Sequence, residues 1–218
     1  MIKSNPQNLT TKLKRRIDGL SIRLFKEDKT LLNDIARVGV IDTLDASSHY
    51  ANSNKATSRL EYLVNKGVLS VAQTLHQKHG MVKVYSIAND KIANIWRTTA
   101  YEQKRNCSIL HDLMVSKAYF AAGRPQSFLL ANNLSHQDKD KFTIAKYFNS
   151  SGSTPDALYT NSAGEAVCVE ADAGQYTSSQ ISKKIEHWRS MGYTHIHWSK
   201  PNFQTTVPKG NNIQISSF

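Results

Sequence analysis

Pro155-Asp156-Ala157-Leu158-Tyr159-Thr160 and, after the turn Asn161-Ser162-Ala163-Gly164, the run Glu165-Ala166-Val167-Cys168-Val169-Glu170-Ala171-Asp172 govern the reading of the second half of the chain. The first run opens on a prolyl-aspartate turn and continues as an apolar extended segment. The second is rich in small and β-branched residues, and a glycine-containing turn between two such runs predicts a hairpin, so part of the sheet is antiparallel. Asp156 then stands at a strand start and Glu170 at the end of the next strand. The following run, 178–191, has Ile181, Ile185 and Trp188 at i, i+4 and i+7, the inward face of a helix, with Lys184 on or beside that stripe and Lys183 pointing elsewhere. A lysine on an inward face loses solvation unless it meets an anion, and the strand-end carboxylates are candidates. Otherwise its stem would run past the stripe and carry the ammonium to solvent.

Outward from this stretch, strands are expected at 127–131 and 194–198, with an acidic-basic loop over 138–141. Helices are expected at 92–103 and 106–122, the second presenting Ile109, Leu110, Leu113, Met114 and Ala118 on one side and ending at Gly123-Arg124-Pro125. Alternating strands and helices predict an α+β or α/β domain with a mixed sheet over 96–218.

Residues 1–95 read differently. A basic leader (Lys12, Lys14, Arg15, Arg16) precedes a helical pattern over 28–38 built on Leu31, Leu32, Ile35 and Val38, with Gly39 as a stop. A second short helix fits 41–47, and a third fits 53–66 with Ala56, Leu60, Leu63 and Val64 as its apolar stripe. Extended runs at 68–71 and 82–87 flank the polar, basic stretch 73–80. Three short helices and a β-wing predict a winged helix-turn-helix. Its third helix would offer Asn52, Ser53, Asn54, Lys55, Thr57, Ser58 and Arg59 to a major groove, with Lys78, His79 and Lys83 of the wing at phosphates. The alternative use of such a module is protein contact or dimerisation.

Lysine and arginine total 28 against 17 acidic residues, a net charge of +11 over 218 residues. That surplus predicts attraction to a polyanion, with nucleic acid first and anionic membrane as the rival. No run approaches the roughly 20 apolar residues needed to span a bilayer, and the start of the chain lacks an apolar signal core, so a cytoplasmic protein without membrane insertion is expected. Cys107 and Cys168 have no metal-ligand spacing and fall in different elements, which argues against both zinc and a disulfide.

Asp156 and Glu170 are hard oxygen ligands suited to Mg²⁺ or Mn²⁺, and an ammonium from Lys184 could orient water or steady charge on a phosphate. Together these are the parts of a metal-dependent phosphodiesterase acting on DNA. In their order along the chain, the winged helix, His111-Asp112-Leu113-Met114-Val115 at a helix start, Pro155-Asp156-Ala157, Glu170-Ala171-Asp172 and Ile181-Ser182-Lys183-Lys184-Ile185 resemble the PD-(D/E)XK endonuclease superfamily. They resemble more closely the plasmid replication-relaxation family, which includes the MOBC-type mobilisation relaxases. The resemblance implies a restriction-endonuclease-like domain in which Asp156 and Glu170 hold the metal. Lys184 then stands in for a motif lysine that has moved from strand to helix, and His111 is a secondary catalytic candidate. It also implies nicking at an origin of transfer, with other relaxosome or mobilisation proteins as partners. One departure stands out: the superfamily's strand lysine, two residues past the acid, is here Asp172. Asp172 is either a further metal ligand or the mark of an inactive site.

Two rivals accompany this reading. His195-Ile196-His197 places two imidazoles on one face of a strand, the local pattern of histidine-hydrophobe-histidine endonucleases, with Tyr176 or Tyr193 as nucleophile. The other rival is a catalytically inactive DNA-binding accessory or regulatory protein of plasmid replication or mobilisation. For His111 the bland reading is a local hydrogen bond at a helix start.

Overall fold

Residues 22–77, 80–96, 108–130 and 155–217 are described by the computed structural model. The chain divides into two units, Met1–Glu102 and Gln103–Phe218, each mixing helices with its own sheet. The division expected at 95–96 falls within the first of them. Among the described residues, no helix is long and apolar enough to cross a membrane.

The first unit opens on helix α1 (Lys26–Val38), which buries Leu31, Leu32, Ile35 and Val38. Its start is fixed by the Asp28 carboxylate, which accepts the Phe25 N–H at 2.6 Å. Its end is fixed by Gly39 at φ 85°, whose N–H donates to the Ile35 carbonyl at 2.7 Å. The short helix expected at 41–47 is cut back: Val40–Asp42 is strand β1 and only Thr43–Ser47 is helix α2. Val40 and Ile41 instead pair with Ser86 and Tyr85, and Asp42 caps α2 by accepting the Asp45 N–H at 2.9 Å. Helix α3 (Ser53–Asn65) is capped by Asn52, which accepts the Lys55 N–H at 2.9 Å, and buries Ala56, Leu60 and Leu63.

Strands β2 (Leu69–Gln77) and β3 (Gly80–Ile87) form a hairpin, and the sheet order is β1-β3-β2. The polar stretch 73–80 expected as a loop is therefore mostly ladder: Gln73, Thr74, Leu75 and His76 face Val84, Lys83, Val82 and Met81 after a register shift between Val71 and Gln73. Two-sided polarity hid this strand from a periodicity argument. Beyond β3 come helix α4 (Asp90–Ala93) and a 3₁₀ turn, Asn94–Trp96, at the start of the helix expected over 92–103. The rest of that run, the acidic-basic loop over 138–141 and the basic leader lie outside the described residues, as do Lys78, His79 and Cys107.

In the second unit, helix α5 (Ile109–Ala121) is capped by Ser108. Strands β4 (Leu129–Leu130), β5 (Ala157–Thr160) and β6 (Ala166–Ala171) follow, then helix α6 (Ser178–Ser190) and strands β7 (His195–Lys200) and β8 (Ile213–Ser217). The sheet order is β4-β5-β6-β7-β8. Strands β4, β5 and β6 pair antiparallel, whereas β6-β7 and β7-β8 are parallel. The β5–β6 hairpin is held by Asn161, whose side-chain oxygen accepts the N–H groups of Ala163 and Glu165 at 3.0 and 2.9 Å.

Side chains alternate across this sheet. Leu158, Cys168, Ile196 and Trp198 form one cluster with Ile181, Ile185 and Trp188 of α6. On the other face Tyr159 stacks on Phe128 at 6.0 Å, which meets Tyr119 of α5 edge-on at 5.1 Å. The two helices thus cover opposite faces and leave the end of β6 between them. Trp188 and Trp198 are fully buried, and truncating either would cost about 3–5 kcal/mol.

Candidate active site

Asp156, the residue before β5, is tied into the sheet from both ends. Its N–H donates to the Val169 carbonyl at 3.0 Å, and its Oδ2 accepts the Ala171 N–H at 2.8 Å. The remaining oxygen, Oδ1, lies 3.1 Å from Nε2 of His111 in the first turn of α5. His111 Nδ1 is 3.4 Å from Asp112 Oδ1, so two carboxylates hold one imidazole. Hydrogen bonds to Asp112 and then Asp156, outweighing burial, push the His111 pKa up to about 10. His111 is therefore an imidazolium at neutral pH, and the local hydrogen bond expected for it extends to the Asp156 carboxylate.

Glu170 closes β6 in a pocket that excludes water, at 1% exposure. Oε1 meets the Lys184 ammonium from α6 and the Tyr176 hydroxyl, the latter at 3.3 Å. Oε2 accepts the Trp188 indole N–H at 3.2 Å. Burial, then the negative charge of Asp156, raise the Glu170 carboxyl to about 7, with Lys184 pulling the other way. Burial works against the charge of Lys184, but Glu170 more than offsets it and the ammonium titrates above the ordinary lysine range. Lys184 also sits over the Tyr176 ring, 4.9 Å from its centroid. The choice between an anion-paired and a snorkelling lysine is resolved for pairing.

Asp172, expected as a further metal ligand or as the mark of an inactive site, is held in the β6–α6 loop. It is fully buried, its Oδ1 accepts the N–H groups of Gly174 and Gln175 at 2.8 and 3.1 Å, and its Oδ2 accepts Gln204 Nε2 at 3.3 Å. Its own N–H donates to Ser199 at 2.8 Å. These bonds fold the β6–α6 loop and engage both oxygens of the carboxylate. Gly174 at φ 93° two residues after an aspartate was the available signal of such a turn.

His195 and His197 do lie on one strand face, but their nitrogens are committed separately. His195 meets Glu165 at 3.4 Å and Thr194 at 3.0 Å. His197 is buried between Tyr159, 3.4 Å from Nδ1, and Ser216, 2.8 Å from Nε2, and burial lowers its pKa to about 4. Tyr176, one alternative nucleophile, serves as a donor to Glu170, and burial followed by that carboxylate raises its phenol further from ionisation. Tyr193 is buried beneath α6.

Among the described residues, no three histidine, cysteine, aspartate or glutamate side chains form a group able to hold a metal ion. Asp156 and Glu170 carry the hard oxygens that magnesium takes from one or two carboxylates beside substrate phosphates, and in this arrangement those oxygens are bonded to Ala171 and His111 and to Lys184, Tyr176 and Trp188. Trp188 was read only as a core residue. It lies four residues after Lys184 on the same helix face, so the N–H that a buried Glu170 requires was present in the pattern.

On α3 of the first unit, Asn54, Lys55, Thr57 and Ser58 are exposed, as is Lys83 on β3. Arg59 is not part of that surface. Its guanidinium grips the buried Asp28, with Nε at 2.9 Å from Oδ1 and Nη2 at 2.7 Å from Oδ2, and lies over Phe25 and Tyr62. No protein-family model, curated protein or solved structure matches the chain, so its functional reading rests on this geometry.

Proposed function

We propose that the chain is a DNA-binding, metal-dependent endonuclease of the nicking type, with a winged helix in the first unit and an endonuclease-like domain in the second. The observation that carries this reading is the convergence of Asp156, Glu170 and Lys184 at the end of β6, brought there by two different strand connections and a helix. Asp156 and Glu170 would hold Mg²⁺ or Mn²⁺. The ion would supply a Lewis acid for the phosphoryl oxygen and a more acidic water. Lys184, which reaches the same end of β6 from α6, would orient water or stabilise charge on the phosphate. The His111 imidazolium, 3.1 Å from Oδ1, would aim Asp156. Helix-strand order α1-β1-α2-α3-β2-β3 supports the winged helix, and the exposed polar face of α3 supports its use on DNA. Action at an origin of transfer, and relaxosome partners, follow from the family resemblance alone.

The test is nicking of supercoiled plasmid carrying the candidate origin, with Mg²⁺ or Mn²⁺. The wild type should nick, and Asp156→Ala, Glu170→Ala and Lys184→Ala should each lose roughly 10²-fold or more. Equal activity in all four proteins, or none in any, would overturn the enzyme. A second reading, a non-cleaving DNA-binding accessory protein, is favoured by one observation: both Glu170 oxygens already have donors and Asp172 is committed to its loop. It predicts steeply salt-dependent DNA binding without metal-dependent nicking.

A further inference from the structure

The segment after β7 holds out an aromatic ring on a rigid base. Phe203 is 69% exposed, yet its neighbour Gln204 makes four hydrogen bonds, two through its backbone and two through its side chain. The Gln204 N–H donates to Pro201 at 3.1 Å, its carbonyl accepts Lys200 Nζ at 2.5 Å, and its side-chain amide reaches Asp172 Oδ2 at 3.3 Å and the Tyr176 carbonyl at 3.2 Å. The inner edge of the ring rests on Gly174, where a Cβ would stand 2.6 Å from Phe203 Cε2. The loop that presents Tyr176 to Glu170 is therefore the floor on which Phe203 sits. A solvent-facing phenyl held this firmly gains nothing from the core and has low entropy to lose on stacking.

The same segment goes on to form one wall of a groove of about 340 Å³ against α6, whose lining joins the polar Ser178, Ser182, Glu186, Arg189 and Lys209 to four apolar residues, with Arg189 Nη2 also donating to the Asn211 carbonyl at 3.1 Å. Two cations and two hydroxyls against one carboxylate suit a phosphate. An exposed aromatic ring and, a few residues on, a basic groove supply the two kinds of contact by which proteins hold unpaired nucleotides. We propose that Phe203 is a stacking platform for one unpaired nucleobase of a DNA strand, with the Arg189–Lys209 groove taking its backbone. This subsite rests on the reading of the second unit as a DNA-acting domain.

Binding of a fluorescently labelled oligothymidine single strand, and of its duplex with oligodeoxyadenosine, is measured by anisotropy in EDTA, where no cleavage intervenes. Phe203→Ala should weaken single-strand binding roughly 5- to 150-fold, Phe203→Trp should retain it, and duplex affinity should stay within about twofold. Arg189→Ala/Lys209→Ala should weaken the single strand and flatten its salt dependence. Circular dichroism excludes unfolding of each variant. Equal single-strand affinity for wild type and Phe203→Ala, or equal losses on single strand and duplex, would overturn the platform. The nuclease reading fails separately, through the plasmid assay.

Discussion

The Lys184 ammonium reaches the Glu170 carboxylate near the end of β6 from a helix position 14 residues further along the chain. Glu170 titrates near 7, above the usual value of about 4.3 in an unfolded chain. The folded state therefore binds the proton more tightly, and the contribution of Glu170 is fully present below about pH 4 and lost as pH rises through about 7. Stability of the second unit should fall by a few kcal/mol across that window, and Glu170→Gln should flatten the slope. Urea titrations of both proteins at several pH values check this. An unchanged slope in Glu170→Gln would assign the effect elsewhere.

Lys184→Met should do the opposite at high pH. Without its cation the buried Glu170 carboxylate is uncompensated, so the variant should lose about 2–4 kcal/mol above pH 8 and much less at pH 5, where the carboxyl is protonated. Thermal melts at the two pH values read the difference directly.

His111 adds a second slope of the same sign. Its pKa is about 10 folded against about 6.5 unfolded, so its contribution is fully present below about pH 6.5 and lost as pH rises through about 10. His111→Gln should remove this decline, and an NMR titration of the His111 ring should show no midpoint between pH 5 and 8. A midpoint near 6.5 would mean that Asp156 and Asp112 do not hold the imidazolium.

How much of this was legible follows the range of the interactions. The β5–β6 hairpin and α6 were readable because their signals are local: alternation, the Asn161 turn, and Ile181, Ile185 and Trp188 on one stripe. Strands β1 and β8 were not, because a three-residue and a mixed-polarity strand are defined by distant partners, Val40 by Ser86 and Ile213 by Ile196. The site divides in the same way. Asp156, Glu170 and Lys184 converge as the spacing suggested, whereas Asp172 and Arg59 carry the right chemistry on the right element and are spent on structure. Asp28, 31 residues from Arg59, could not have been assigned from helix periodicity.

That distinction makes Arg59 and Lys55 separable by experiment. Arg59→Ala removes the guanidinium from the buried Asp28 and leaves it the Tyr50 hydroxyl at 2.9 Å and the Phe25 N–H at 2.6 Å, so it should destabilise the first unit by roughly 3 kcal/mol, and Arg59→Lys should recover little because the fork is lost. Lys55→Ala should leave the melting temperature unchanged, weaken DNA binding about equally across sequences, and lower the salt slope by about 1. Melting curves with anisotropy titrations at several salt concentrations distinguish a stability residue from a contact residue. A normal melting temperature for Arg59→Ala would return it to the DNA face.

His197 gives the acid limb. Burial lowers its pKa to about 4 from about 6.5 unfolded, so the folded state binds the proton less tightly; its contribution is present above about pH 6.5 and lost as pH falls through about 4. Because both ring nitrogens are already engaged by Tyr159 and Ser216, a metal could reach His197 only by breaking the aromatic layer under α5. His197→Gln should therefore reduce the acid sensitivity of folding. His195→Ala, at the partly exposed first residue of β7, should leave metal-dependent nicking within about twofold of wild type, and no covalent protein–DNA adduct should form. Loss of nicking in His195→Ala together with an adduct that disappears in Tyr176→Phe would replace the carboxylate chemistry with the histidine–tyrosine one.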